Sequence, residues 1–152
     1  MNTLEQRIQK LEDTAALKTI VDHFSNLADK KELATQMLLF TQDAVVETYF
    51  EGELFAAMKG REEILATFTN FTQNFDTMYH MNGQFTAHIN GDTATADHYA
   101  LVVLVNTVEG QKHRNTNGVI YKDEYVRQNG EWLISKRVAN FTWRDNQVIQ
   151  LS

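Results

Sequence analysis

The sequence predicts an α+β fold in which three N-terminal helices pack on a strongly curved, mostly antiparallel sheet and leave a pocket between the two layers. Three observations carry this. Helical spacing of apolar residues dominates the start of the chain, four long strand-like runs separated by turn signals fill the end of it, and proline is absent from all 152 residues, so no ladder is interrupted.

The first element is an amphipathic helix over residues 4 to 28. Leu4, Ile8, Leu11 and Ala15, then Leu17, Ile20, Val21, Phe24, Leu27 and Ala28, recur at spacings of three and four. The stretch "DKKELATQMLLF" then begins a shorter second helix, for which Asp29 and Glu32 have capping-box spacing. Residues 43 to 50, "DAVVETYF", are β-branched and aromatic and read as a first strand, followed by a loop around "EGELFAAMKG". A third helix is expected over 61 to 75, where Ile64, Leu65, Phe68, Phe71 and Phe75 form a stripe.

From residue 77 the period changes. Runs at 77–89, 93–107, 116–128 and 131–143 are separated by Asn90-Gly91-Asp92, Glu109-Gly110 and Asn129-Gly130, which predicts an antiparallel meander. No repeat, linker or low-complexity tract divides the chain, so residues 1–152 are expected to form one domain.

Composition narrows the function classes. Fourteen basic residues against twenty acidic ones give a formal charge of −6, and the basic residues are scattered, which disfavours nucleic acid and anionic membrane surfaces as partners. With no cysteine there is no thiolate ligand, disulfide or cysteine nucleophile. The start of the chain lacks a secretory signal pattern and no window approaches the roughly 18 apolar residues of a membrane span, so a cytoplasmic location is expected. GxSxG, GxGxxG and GxxxxGK[ST] are all missing, which disfavours serine hydrolysis, hydride transfer and phosphoryl transfer. The five histidines show no HxH or HxxxH spacing, and no metal site is expected.

One polar insertion stands out. "YHMNGQF", residues 79 to 85, places His80 and Asn82 inside an otherwise apolar and aromatic strand. Buried histidines are often satisfied core residues; the other reading is a group that faces a pocket. Whether His98 shares its face depends on the hairpin between them. A two-residue turn at Asn90-Gly91 sets position 80 opposite 101 and sends the two histidines to opposite faces. A three-residue turn sets 80 opposite 102 and puts them on one face, and a bulge near Asn82-Gly83 also reverses the outcome.

The order of elements, with "IVDHFSNLADKKELATQMLLFTQDAVVE", "KGREEILATF", "HMNGQFTAHINGDTATADHYALVV" and "YKDEYVRQNGEWLISKRV", resembles the SnoaL-like family of the NTF2-like (cystatin-like α+β cone) superfamily over nearly the whole chain. The resemblance implies a cone around a deep apolar pocket, and a homodimer built on the outer side of the sheet. Members include polyketide cyclases, scytalone and bile-acid dehydratases, ketosteroid isomerases and proteins without catalysis, so the fold alone does not fix an activity.

In the dehydratase-like members an aspartate near the end of the first helix faces a histidine at the start of a later strand, with a tyrosine one turn before the aspartate. Carried onto this sequence these positions are Asp29, His80 and Phe24. Asp29 therefore has two readings, a helix cap and a pocket carboxylate. Phe24 cannot donate a hydrogen bond, so a phenol would have to come from Tyr49, Tyr99, Tyr121 or Tyr125. Arg137 and Arg144 on the last strand are expected in surface or interfacial salt bridges.

Two functions from different classes follow. One is a cofactor-independent lyase or isomerase of dehydratase or cyclase type, acting on a small, largely apolar cyclic carbonyl or hydroxyl compound. Asp29 and His80 would be catalytic, and Phe24, Tyr49, Asn82, His98, Tyr121 and Tyr125 would contact substrate. The other is a non-catalytic module that uses the same cone to hold a small molecule or a protein.

Overall fold

The computed structural model describes residues 1–150. Helix α1 runs Leu4–Asp29, α2 Leu33–Gln36 with a 3-10 turn at Met37–Leu39, and α3 Arg61–Thr72. The strands are β1 Phe40–Phe50, β2 Glu53–Lys59, β3 Thr77–Asn90, β4 Thr93–Val108, β5 Gln111–Gln128 and β6 Glu131–Ile149. They form one sheet in the order β2-β1-β6-β5-β4-β3. Strands β3 to β6 are the expected antiparallel meander, and β1 joins β6 in parallel.

Helix α1 opens with a capping box, Thr3 accepting from the Gln6 amide and Gln6 accepting from Thr3. Its buried face begins only at Asp13 and continues through Leu17, Val21, Phe24 and Ala28; Leu4, Ile8 and Leu11, part of the same apolar pattern, remain exposed. The Asp13 carboxylate accepts from Arg127 and from the Trp132 indole, which fastens the helix across the sheet.

Several elements differ from the sequence reading: β5 begins at Gln111 and β6 runs to Ile149, beyond the expected 116 and 143, and two differences change the architecture. The segment expected to be a loop after residue 50 is strand β2, hairpinned to β1 through Glu51 and Gly52, whose φ angles are 51° and 88°. This positive-φ pair is what a two-residue hairpin turn needs, supplied by Glu-Gly instead of the usual Asn-Gly. Helix α3 ends at Thr72, three residues early, although Phe75 still packs edge-on against Phe71 at 5.1 Å.

The sheet bends because its ladders slip. Register shifts occur at Thr48/Tyr49, between Asn82 and Phe85, at Gly118/Val119 and at Glu124/Tyr125, and each inserted residue sharpens the local twist. The inner face of the bent sheet meets α1 and α3 around Leu17, Val21, Phe24, Phe40, Ile64 and Ile134. A second apolar cluster around Met78, Val102, Leu104, Val119 and Tyr121 lies beside it. Among the described residues no helix is long and apolar enough to cross a membrane.

Candidate active site

The last turn of α1 places Asp29. The helix stops there because Lys31 turns left-handed (φ 58°), letting its amide bond Ala28 O and the Glu32 amide bond Leu27 O. This is a Schellman ending built on lysine where glycine is usual. Helix α2 then starts after Glu32, which makes no side-chain cap bond. The capping-box expectation for Asp29 is therefore corrected: the carboxylate belongs to the preceding helix and turns to the sheet.

There it accepts two hydrogen bonds from His80, the backbone N–H to Oδ2 at 3.1 Å and ring Nδ1 to Oδ1 at 2.6 Å. A carboxylate only accepts, so Nδ1 carries a proton, and in the neutral ring the lone pair is on Nε2. The His80 side chain is 10% exposed and Asp29 25%. His80 forms part of the wall of a cavity of about 110 Å³ between the helices and the sheet.

The face of His98 is decided by two local features together. Asn90 pairs with Thr93, so the turn is Gly91-Asp92, a two-residue loop one position later than the one considered from sequence. On that register His80 would lie opposite residue 103. The slip between Asn82 and Phe85 moves it to Val102, and His80 and His98 then share the inner face. Sharing a face does not bring them into contact with the same space. His98 is 1% exposed, stacks on Tyr121 (4.5 Å, 14°) and stays behind the cavity wall. Burial lowers its pKa against the pull of Asp123, so it is neutral at pH 7.

Of the residues singled out from sequence, Phe24, His80 and Tyr121 line the cavity. Asp29, Tyr49, Asn82, His98 and Tyr125 are not on its wall; Asp29 reaches it only through His80. The Tyr49 hydroxyl bonds Glu47 on β1, and Tyr125 donates to Asp123 at 2.8 Å. Asn82 donates to Val21 O, Asp22 and Ser25, tying the bulge of β3 to α1. Tyr121 alone of the tyrosines lines the cavity, and its hydroxyl has no hydrogen bond among the described residues. Burial pushes its pKa up to about 12, against a lowering by Arg137, so it remains a donor at neutral pH.

Arg137 is a correction. It is buried, not at the surface, and lines the cavity. Its Nε and Nη2 each donate to Asp123 at 2.8 Å, and its plane rests on Phe24 (4.2 Å) and Tyr121 (4.4 Å). Burial alone would raise the Asp123 carboxyl, but the Arg137 charge and its two bonds hold it well below the usual range. Phe24 is thus a seat for a guanidinium. Arg144 lines the adjoining outer pocket, over the Phe50 ring at 4.5 Å, and makes none of the expected salt bridges among the described residues. Among the described residues no three His, Asp or Glu side chains gather as a metal site would require.

The Asp123–Arg137 pair and Gln36, another wall residue, were missed from sequence. The two-residue turn at Asn129-Gly130 sets 123 opposite 136, and only the slip at Glu124/Tyr125 brings it opposite Arg137. Gln36 sits in a helical stretch with nothing local to distinguish it.

A family model described as a SnoaL-like domain matches residues 9–138. The chain belongs to the SnoaL-like family. Its solved neighbours share the NTF2-like, cystatin-like fold. An NTF2-like protein from Novosphingobium aromaticivorans is 23% identical, covering 93% of this chain and 91% of its own, with TM-score 0.72. A scytalone dehydratase-like protein from the same species is 18% identical over 93% and 91%, with TM-score 0.77. A hexachlorocyclohexane dehydrochlorinase, LinA type 2, is 18% identical over 96% and 97%, with TM-score 0.80. At these identities the likeness speaks for the fold. No curated protein matches the chain.

Proposed function

We propose that this SnoaL-like protein is a cofactor-independent lyase or isomerase, of dehydratase or cyclase type, acting on a small, largely apolar cyclic carbonyl or hydroxyl compound. The observation that carries the reading is the 2.6 Å Asp29–His80 bond, which leaves Nε2 free beside an apolar cavity. His80 Nε2 takes a proton from the carbon next to a carbonyl. Tyr121 donates to the oxygen on which negative charge grows, with Arg137 adding positive potential to the same wall. The imidazolium, steadied by Asp29, then returns its proton to a leaving hydroxyl in a dehydration or to another carbon in an isomerisation. Structural neighbours that include dehydratase-like and dehydrochlorinase proteins support this class of chemistry.

The test is proton exchange. Small cyclic ketones and β-hydroxyketones incubated with the protein in D2O should gain deuterium at the carbon next to the carbonyl, or lose water. His80→Ala should abolish both. A folded wild-type protein that exchanges none of them, or an unaffected His80→Ala variant, overturns the reading.

Phe24 favours a second reading, a non-catalytic module that holds a small molecule or a protein, because the family phenol is absent there and its ring carries Arg137. Binding without exchange in the same experiment would select it. The first reading also takes in a cytoplasmic location, no nucleic-acid or membrane partner, and a homodimer through the outer sheet face. On that face Met81, Leu101, Gly118 and Trp143 lie in one cross-strand row, and Tyr79 and Tyr99 flank it. Sedimentation should then return twice the 17.5 kDa chain mass, and a concentration-independent monomer would remove this part.

A further inference from the structure

Gln36 is 1% exposed, forms part of the cavity wall and has one amide atom, Oε1, without a partner among the described residues. Its Nε2 donates to Phe24 O at 3.0 Å. That bond fixes which end is free, since a flipped amide would press two oxygens together. Nor does Phe24 O depend on it: the carbonyl lies inside α1, where the helical ladder already supplies an N–H. A leucine or methionine would fill the same space without stranding a polar atom. Buried acceptors in native proteins almost always find partners, so an orphan on a cavity wall marks a bond completed by something the cavity receives.

We propose that Gln36 Oε1 accepts a hydrogen bond from a hydroxyl on the ligand, so that this cavity selects cyclic alcohols and phenols over hydrocarbons of the same shape. The inference rests on the acid/base reading for the apolar, ring-like character of the ligand and adds the group that orients it. At about 110 Å³ the cavity is smaller than the roughly 150 Å³ that houses a benzene ring. The enclosed part of the ligand is therefore at most one ring, and the rest extends past Phe71, Leu104 and Phe141, which the cavity shares with an adjoining outer pocket of about 490 Å³. With Gln36 accepting and Tyr121 donating, one hydroxyl and one oxygen acceptor on a single ring satisfy both orphan groups.

Phenol and toluene, matched in size and differing by one hydroxyl, are the probes. Titrated into the wild-type protein and followed by calorimetry, phenol should bind about tenfold more tightly, as one net hydrogen bond provides. In Gln36→Met that preference should vanish, whereas in His80→Ala it should persist. The Gln36 carboxamide carbon, followed by NMR in the wild-type protein, should shift with phenol and not with toluene; this readout decides the matter should Gln36→Met fail to fold. Equal affinities, a preference that survives Gln36→Met, identical carboxamide shifts with both probes, binding of neither probe, or a resident water retained on Oε1 in the phenol complex would each overturn the proposal. Loss of proton exchange in His80→Ala with an intact phenol preference separates this result from the fate of the acid/base reading.

Discussion

The Asp29 carboxylate holds His80 at two points, its ring Nδ1 at 2.6 Å and its backbone N–H at 3.1 Å. One carboxylate thus sets both the tautomer of the imidazole and the position of the strand that carries it. The second bond also joins the end of α1 to β3, so the site and the packing of helix on sheet depend on the same residue. Asp29→Asn should keep one acceptor for the backbone N–H while losing the charge that steadies the imidazolium. Exchange activity should fall by about 10²- to 10⁴-fold, with a much smaller change in unfolding midpoint. Turnover within threefold of wild type would remove Asp29 from the mechanism.

Tyr121 is held by stacking on His98 and by the Arg137 plane, contacts that a phenylalanine ring preserves. Tyr121→Phe should therefore fold normally and lose about 10²- to 10³-fold in the chemical step, the usual cost of one oxyanion donor. Steady-state kinetics with unchanged kcat would assign the phenol to packing.

Asp123 and Arg137 are both buried and bond each other twice. Removing one partner strands the other charge, so Asp123→Asn or Arg137→Met should each cost about 3–5 kcal/mol in chemical denaturation. The double substitution should cost less than the sum of the two. Additive losses would show that the charges are not coupled.

His98 gives the fold a pH dependence with a defined sign. Its folded pKa lies below the ordinary value of about 6.5, chiefly through burial. Below that pH the unfolded chain binds a proton that the folded chain refuses, so stability falls as pH drops, by at most about 1.4 kcal/mol per pH unit, down to the folded pKa. The His98 C2–H resonance should therefore reach its midpoint below pH 6.5. A His98 midpoint at or above 6.5 would reverse the sign and refute the argument.

Much of the site was legible one element at a time. "YHMNGQF" marks His80 because a polar insertion in an apolar strand is visible locally, and α1 is visible through its 3.6-residue period. What misled was local as well. Asp29 and Glu32 have the spacing of a capping box, yet Lys31 adopts positive φ and ends the helix so that the box never forms. Strand β2 was hidden because its turn is Glu51-Gly52 and its alternation is broken by Ala56-Ala57.

The amino-acid sequence determined the kind and order of the elements other than β2, because periodicity and turn chemistry act over a few residues. It also determined that any phenol must come from elsewhere than position 24. Tertiary structure decided where the long strands point their side chains. Each slip in β3 and β6 reverses every position beyond it, and a slip is set by pairing with a neighbouring strand, not by the residues on either side. That pairing put His98 behind the wall, brought Asp123 to Arg137 and left Tyr121 as the free phenol. The Asp29–His80 bond likewise spans 51 positions, and it exists because α1 lies across β3.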